Sequence, residues 1–172
     1  MEDWKGSASI LNATGTKKPD LIIYSDASGT EGFGFLEIQS RRFGTGKWKV
    51  EDLKDAHREK ESSSTYLEIL AIAIAIRSLA KKHMAIEVRC DSQPAVYALE
   101  RRYYRGAIQG QNIIIGLDKL CRDWGITTFF KHVPREDPTI QLVDKLSKGT
   151  LPRSLELTGL KTQIMRVEPY SR

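Results

Sequence analysis

From Leu67 to Ile76 nearly every position is apolar, and Glu68 is the only charged residue among them. The unbroken part, Ile69 to Ile76, is far shorter than the ~20 residues that cross a bilayer. It reads instead as the heart of a helix, Ser64 to Lys82, buried on most faces. Glu68 then has two readings. With Thr65 it fits a capping box, its carboxylate turned back on the helix start. If Ser63 or Ser64 is the cap, Glu68 is an acid on a helix flank facing a sheet, costly there unless paired or bound to a metal.

The segments around this helix supply the sheet. Leu21–Asp26 is a strand, and the tight Ser28-Gly29-Thr30 turn leads to a second strand, Gly32–Ile38. Gly46–Val50 makes a third and completes an antiparallel meander. Glu51 to Glu61 is dense in charge and reads as a solvated loop. After the helix, Ala85–Cys90 alternates as a strand, and Pro94 suits the first turn of a helix running to Arg101. A further helix covers about Gln111 to Trp124, ended by Gly125. Ile126–Val133 is the fifth strand, and Ile140 to Lys148 a closing helix. Three strands, helix, strand, two helices, strand and helix imply an α/β domain with a mixed five-stranded sheet flanked by helices. Residues 1–19 and 150–172 read as tails around a domain at 20–149.

The chain has 172 residues, enough for one domain with a proper core. Its net charge of +5 mildly favours a polyanionic partner. Cys90 and Cys121 fall in apolar segments and read as reduced core thiols, which suits a reducing compartment. Met1 to Gly6 lacks the basic start and apolar block of a secretory signal. We therefore expect a soluble cytoplasmic or nuclear protein with no membrane partner.

Acids stand at telling places. Asp26 ends the first strand, where it either makes an Asx-type turn or lines a cleft. Asp91 ends the Ala85–Cys90 strand, where it either helps cap the next helix or faces the same cleft. Asp144 lies on the last helix, four residues before Lys148, in the spacing of an ordinary surface ion pair. Taken together with Glu68, the four can converge on one side of the sheet. Oxygen donors of this kind suit Mg²⁺. Four acids can hold two such ions about 4 Å apart, the arrangement that activates water in phosphodiester cleavage.

The ordered set resembles the D-E-D-D acids of type 1 ribonuclease H: Asp26 after Tyr24-Ser25, Glu68 after Tyr66-Leu67, Asp91 before Ser92-Gln93-Pro94, and Asp144 before Lys145-Leu146-Ser147. The resemblance covers about Leu21 to Gly149, and the family's fold has the element order derived above. Ser63-Ser64-Thr65-Tyr66-Leu67-Glu68, His132-Val133-Pro134-Arg135-Glu136 and Leu146-Ser147-Lys148-Gly149 are similar to runs in the reverse transcriptases of DIRS-like and LTR retrotransposons. Before the last acid the family places an Asn and a small residue. Here Asp137 to Val143 has no Asn, and Val143 precedes Asp144, so Asp137 is the alternative fourth acid.

The resemblance implies two-metal-ion cleavage of the RNA strand of an RNA–DNA hybrid. Asp26, Glu68, Asp91 and Asp144 would be both catalytic and metal-holding, with two Mg²⁺ ions that Mn²⁺ can replace. It also implies a reverse transcriptase domain as partner in a parent polyprotein, and a proton-transfer role for His132, whose plainer reading is an exposed strand-end residue. Substrate contacts are expected from Ser28 and Gly29 in the turn and from Gln93 behind Asp91. Arg101, Arg102 and Arg105, interleaved with Tyr103 and Tyr104, read either as a phosphate-tracking patch with aromatic stacking or as a solvated helix end. The rival function is a catalytically weak or inactive member of the fold that binds nucleic acid or protein.

Overall fold

Alternation along the first strand sends Leu21 and Ile23 into one apolar cluster and Ile22 and Tyr24 into another, on opposite faces of a sheet. The computed structural model describes residues 18–59, 63–106, 108–150 and 165–170. In chain order the elements are β1 (Leu21–Ala27), β2 (Gly32–Glu37), β3 (Arg42–Lys47), α1 (Val50–Arg58), α2 (Ser63–Leu79), β4 (Ala85–Cys90), α3 (Gln93–Arg101), α4 (Ile108–Trp124), β5 (Thr127–His132), α5 (Pro138–Ser147) and β6 (Met165–Arg166). The sheet order is β5-β4-β1-β2-β3-β6. β1–β2–β3 is an antiparallel meander, and β4 and β5 run parallel to β1.

Helix α2 lies on the β1–β2 face, with α1, α3 and α4 packed around it. That placement explains its composition: Tyr66 to Ile76 are all buried. Helix α5 takes the opposite face, where Ile140, Val143 and Leu146 meet Tyr24, Leu36 and Phe43. Its close approach depends on Gly34. A Cβ there would lie 2.6 Å from Leu146 Cβ and 2.8 Å from the Ser147 amide nitrogen. Gly34 is the register partner of Asp26, so the gap that admits α5 is beside the first acid.

Several sequence expectations need correction. The charged stretch after Val50 is not a loop but helix α1. Asp52 accepts a hydrogen bond from the Lys49 amide at 3.2 Å, acids occupy the first turn and bases the last, and Leu53 and Ala56 reach the core. The third strand lies at Arg42–Lys47 rather than Gly46–Val50. Trp48, beyond its end, buries its ring beside Phe33 and donates to the Ser28 carbonyl at 2.7 Å. The sheet has six strands, because Met165–Arg166, within the expected tail, pairs in parallel with β3. Of that tail 151–164 and 171–172, and of the N-terminal tail the residues up to 17, lie outside the described residues. Cys90 and Cys121 are buried free thiols, as expected. Among the described residues no helix is long and apolar enough to cross a membrane.

Candidate active site

Parallel strands β1 and β4 end side by side, Ser25 opposite Cys90, and so deliver Asp26 and Asp91 at neighbouring carboxyl ends. Such ends are where open α/β sheets place their ligands. Cys90 belongs to the apolar cluster under α2, and Asp91, just past the strand end, sets a carboxylate oxygen within 4.8 Å of ligand atoms of Cys90 and Glu68. Glu68 comes from α2 and Asp144 from α5. Four acids from both faces of the sheet thus meet at one rim.

The structure removes most of the structural explanations for these acids. Helix α2 is already formed at Ser63, so Glu68 sits in its second turn and Thr65 is not a cap. Helix α3 is capped by Ser92, whose hydroxyl accepts from the Ala95 amide at 3.3 Å, leaving Asp91 with no capping duty. Asp137 caps α5, accepting from the Thr139 and Ile140 amides at 2.8 and 3.2 Å. Asp144 makes the ion pair its spacing foretold, 3.2 Å to Lys148, and is close enough to Asp26 to raise its pKa.

Burial and mutual repulsion dominate the electrostatics. Asp26 is pushed up to about 8, first by burial, then by the charge of Asp91 and by Asp144, against a small opposing contribution from the Ala27 amide. Glu68 is held well above the ordinary carboxylate range by burial and by the charges of Asp26 and Asp91. Asp91 keeps only 6% of its side chain exposed, and its Oδ1 is buried with no hydrogen-bond partner among the described residues. Its Oδ2 meets Arg135 Nε at 3.3 Å. That cation, at the carboxylate rim in the loop before α5, escaped the sequence reading as a site residue. The signal available was its place three residues after His132.

A divalent cation fits this donor set. The acids supply hard oxygen ligands, and a buried carboxylate oxygen is left without a partner. Glu68, Cys90 and Asp91 bring one ligand atom each within 4.8 Å of one another. Cys90 is the weak member of that trio. Burial pushes its thiol well up, and it donates to Glu68 Oε1 at 3.8 Å, so the hard donors available here are the carboxylate oxygens.

The remaining sequence candidates divide. His132 is exposed at the end of β5 and does not join the carboxylates. With Gln93 and Tyr97 it lines a neighbouring groove of about 590 Å³. The Ser28 hydroxyl accepts from the Glu31 and Thr30 amides at 3.1 and 3.4 Å and is engaged within the turn, whereas Gly29 is exposed with open space around it. Arg101 stacks on the Tyr97 ring at 3.9 Å, on the helix that edges the His132 groove. Arg102 is bound to Asp118 at 2.6 Å, which ties it to α4. Arg105 is exposed in the loop after α3. The interleaved stacking patch does not form as read: Tyr104 is buried, its ring packed on Gly106 and Gly110, while Tyr103 is exposed.

A six-stranded mixed sheet of this order, with α2 and α5 on opposite faces and acids at the ends of its parallel strands, is a ribonuclease H-like fold. Among solved structures the chain is similar to LC11-RNase H1, isolated from compost by a metagenomic approach, with 20% identity over 75% of this chain and 93% of that one and a TM-score of 0.51. The structure of that protein in complex with an RNA/DNA hybrid matches at 18% identity over 76% of this chain and 96% of the other, with a TM-score of 0.53. No protein-family model matches the chain. No curated protein matches it.

Proposed function

We propose that the domain at 20–149 is a divalent-metal-dependent endoribonuclease that cleaves the RNA strand of RNA–DNA hybrids. The observation that carries this reading is the meeting of Asp26, Glu68, Asp91 and Asp144 from β1, α2, β4 and α5 at one rim. All but Asp144 are largely withdrawn from solvent. Carboxyls crowded and buried in this way repel one another, and bound cations relieve that repulsion. The four acids would hold two Mg²⁺ ions, or Mn²⁺ in their place. Such a pair supplies an activated water and stabilises the leaving 3′ oxygen.

The chain's own groups do the rest. Asp26, buried and raised by Asp91 and Asp144, would be the central ligand. Glu68, on α2, would take the family's role of sensing the 2′-hydroxyl that distinguishes RNA from DNA. His132, at the edge of the neighbouring groove, moves a proton toward or away from the departing strand. Gln93, beside it, faces the duplex. The exposed turn at Gly29 offers backbone to the RNA, and Arg101 and Arg105 lie on the α3 side to meet phosphates. The fold of a protein solved with an RNA/DNA hybrid supports the choice of substrate. The runs at Ser63–Glu68, His132–Glu136 and Leu146–Gly149 support a retrotransposon origin, with a reverse transcriptase domain as partner.

The test is incubation of the purified chain with labelled RNA–DNA hybrid, double-stranded RNA and each single strand, in Mg²⁺ or Mn²⁺. Cleavage confined to the RNA of the hybrid, and lost in Asp26→Asn, is the expected result. Hybrid that is bound but survives at high protein concentration with either metal would instead make the chain a binding module of this fold.

A further inference from the structure

A second groove opens on the other side of the carboxylates from the His132 groove. It encloses about 550 Å³ between the β1–β2 turn, the end of β3, the end of α5 and β6. Three elements each contribute a cation to it: Lys47 at the end of β3, Lys148 just beyond α5, and Arg166 on β6. All three are exposed, and among the described residues neither Lys47 nor Arg166 makes an ion pair. The one acid on its wall, Glu31, is turned toward the Ser28 hydroxyl at 3.5 Å. Gly46 and Gly149 keep parts of the wall free of side chains.

Two residues join this groove to the carboxylates. Ser147 lines it while its hydroxyl stands 3.4 Å from Asp26 Oδ2. Lys148 lines it while its Nζ stands 3.2 Å from Asp144 Oδ2. A polyanion seated at Asp26 and continuing past Ser147 enters a channel with three positive groups and one negative. Arg166 reaches it only because β6 docks on β3, with Met165 N donating to the Arg41 carbonyl and Val167 N to that of Phe43, each at 2.7 Å.

We propose that this groove binds the phosphodiester backbone of the substrate strand on the side of the cleavage point marked by α5 and β6. Lys47 and Arg166 would be phosphate contacts. This deepens the hybrid-nuclease reading and rests on it. Each Lys or Arg that neutralises a phosphate releases condensed counterion, so its loss lowers the salt dependence of binding in a countable way.

The experiment uses the full chain, wild type and Lys47→Glu/Arg166→Glu, with a fluorescent hybrid extending well to both sides, read by anisotropy in a salt series without divalent metal. The slope of log K against log salt should become shallower by about two for the double variant, roughly one per lost contact. The melting temperature should not change. If charge reversal lowers it, Lys47→Gln/Arg166→Gln serves in its place. Recessing the strands on one side should abolish the difference between wild type and variant, and recessing the other side should not. Wild-type cleavage together with an unchanged slope in the variant overturns the groove and leaves the nuclease standing. A wild-type chain that neither binds nor cleaves hybrid overturns both.

Discussion

Replacing Gly34 by Ala should damage the candidate site from a residue that touches no substrate. The added Cβ would fall 2.6 Å from Leu146 Cβ, 2.8 Å from Ser147 N and 2.9 Å from the Val143 carbonyl oxygen. Favourable contacts between carbons begin at about 3.5 Å, so α5 must retreat by about 1 Å. The neighbours are backbone and a Cβ, which no rotamer change can move aside. Overpacking of this kind costs about 1–3 kcal/mol. The same retreat carries Asp144 and Ser147 away from Asp26, and a displacement of about 1 Å at a reacting centre can cost about 100-fold in rate. Urea unfolding and hybrid cleavage would be measured on Gly34→Ala beside Ile86→Val, a fully buried change remote from the acids that costs about 0.5–1.5 kcal/mol. Both variants should lose stability, but only Gly34→Ala should lose most of its cleavage. Gly34→Ala with wild-type cleavage would refute the claim that α5 is held against β2 to place Asp144.

The raised Asp26 makes metal-free stability depend on pH. Folded Asp26 titrates near 8 against 3.8 for the ordinary group, so its contribution is complete below the lower value and is lost as pH rises toward the upper one. Melting temperature in chelator should fall over that window, less steeply in Asp26→Asn, and equal slopes would argue against a buried protonated Asp26. Asp137→Ala should cost about 1 kcal/mol by removing the α5 cap while leaving metal affinity intact. Asp144→Asn should do the reverse, and calorimetry with Mn²⁺ separates the two. Arg135→Gln removes the cation paired with Asp91. If that pair is worth about 1 kcal/mol, Mn²⁺ should bind about fivefold more tightly. Weaker binding would make Arg135 a support of the site rather than a competitor.

The parts of this molecule legible in the sequence were those with local causes. The apolar run of α2 could only be buried, and Asp26 and Asp91 stood where apolar strands stop. What escaped depended on distant partners. Helix α1 was hidden by its charge, since only Leu53 and Ala56 mark its inner face. Strand β6 is two residues long and exists because the β3 edge was open to it. Asp137, the alternative to Asp144 as fourth acid, accepts hydrogen bonds from the Thr139 and Ile140 amides, a capping role that its letters alone did not announce. Arg102 and Tyr104 looked like a nucleic-acid patch because nothing nearby announced Asp118 or Gly110 as their partners.

On this reading four acids from four elements form one metal site. Anomalous diffraction at the manganese edge, from crystals of the chain with Mn²⁺ and a hybrid carrying a non-hydrolysable linkage, tests it most directly. Two peaks should appear, both ligated by Asp26, one shared with Glu68 and Asp91 and one with Asp144. Manganese bound only elsewhere, or none in contact with Asp26, would mean that the four acids do not form a metal site.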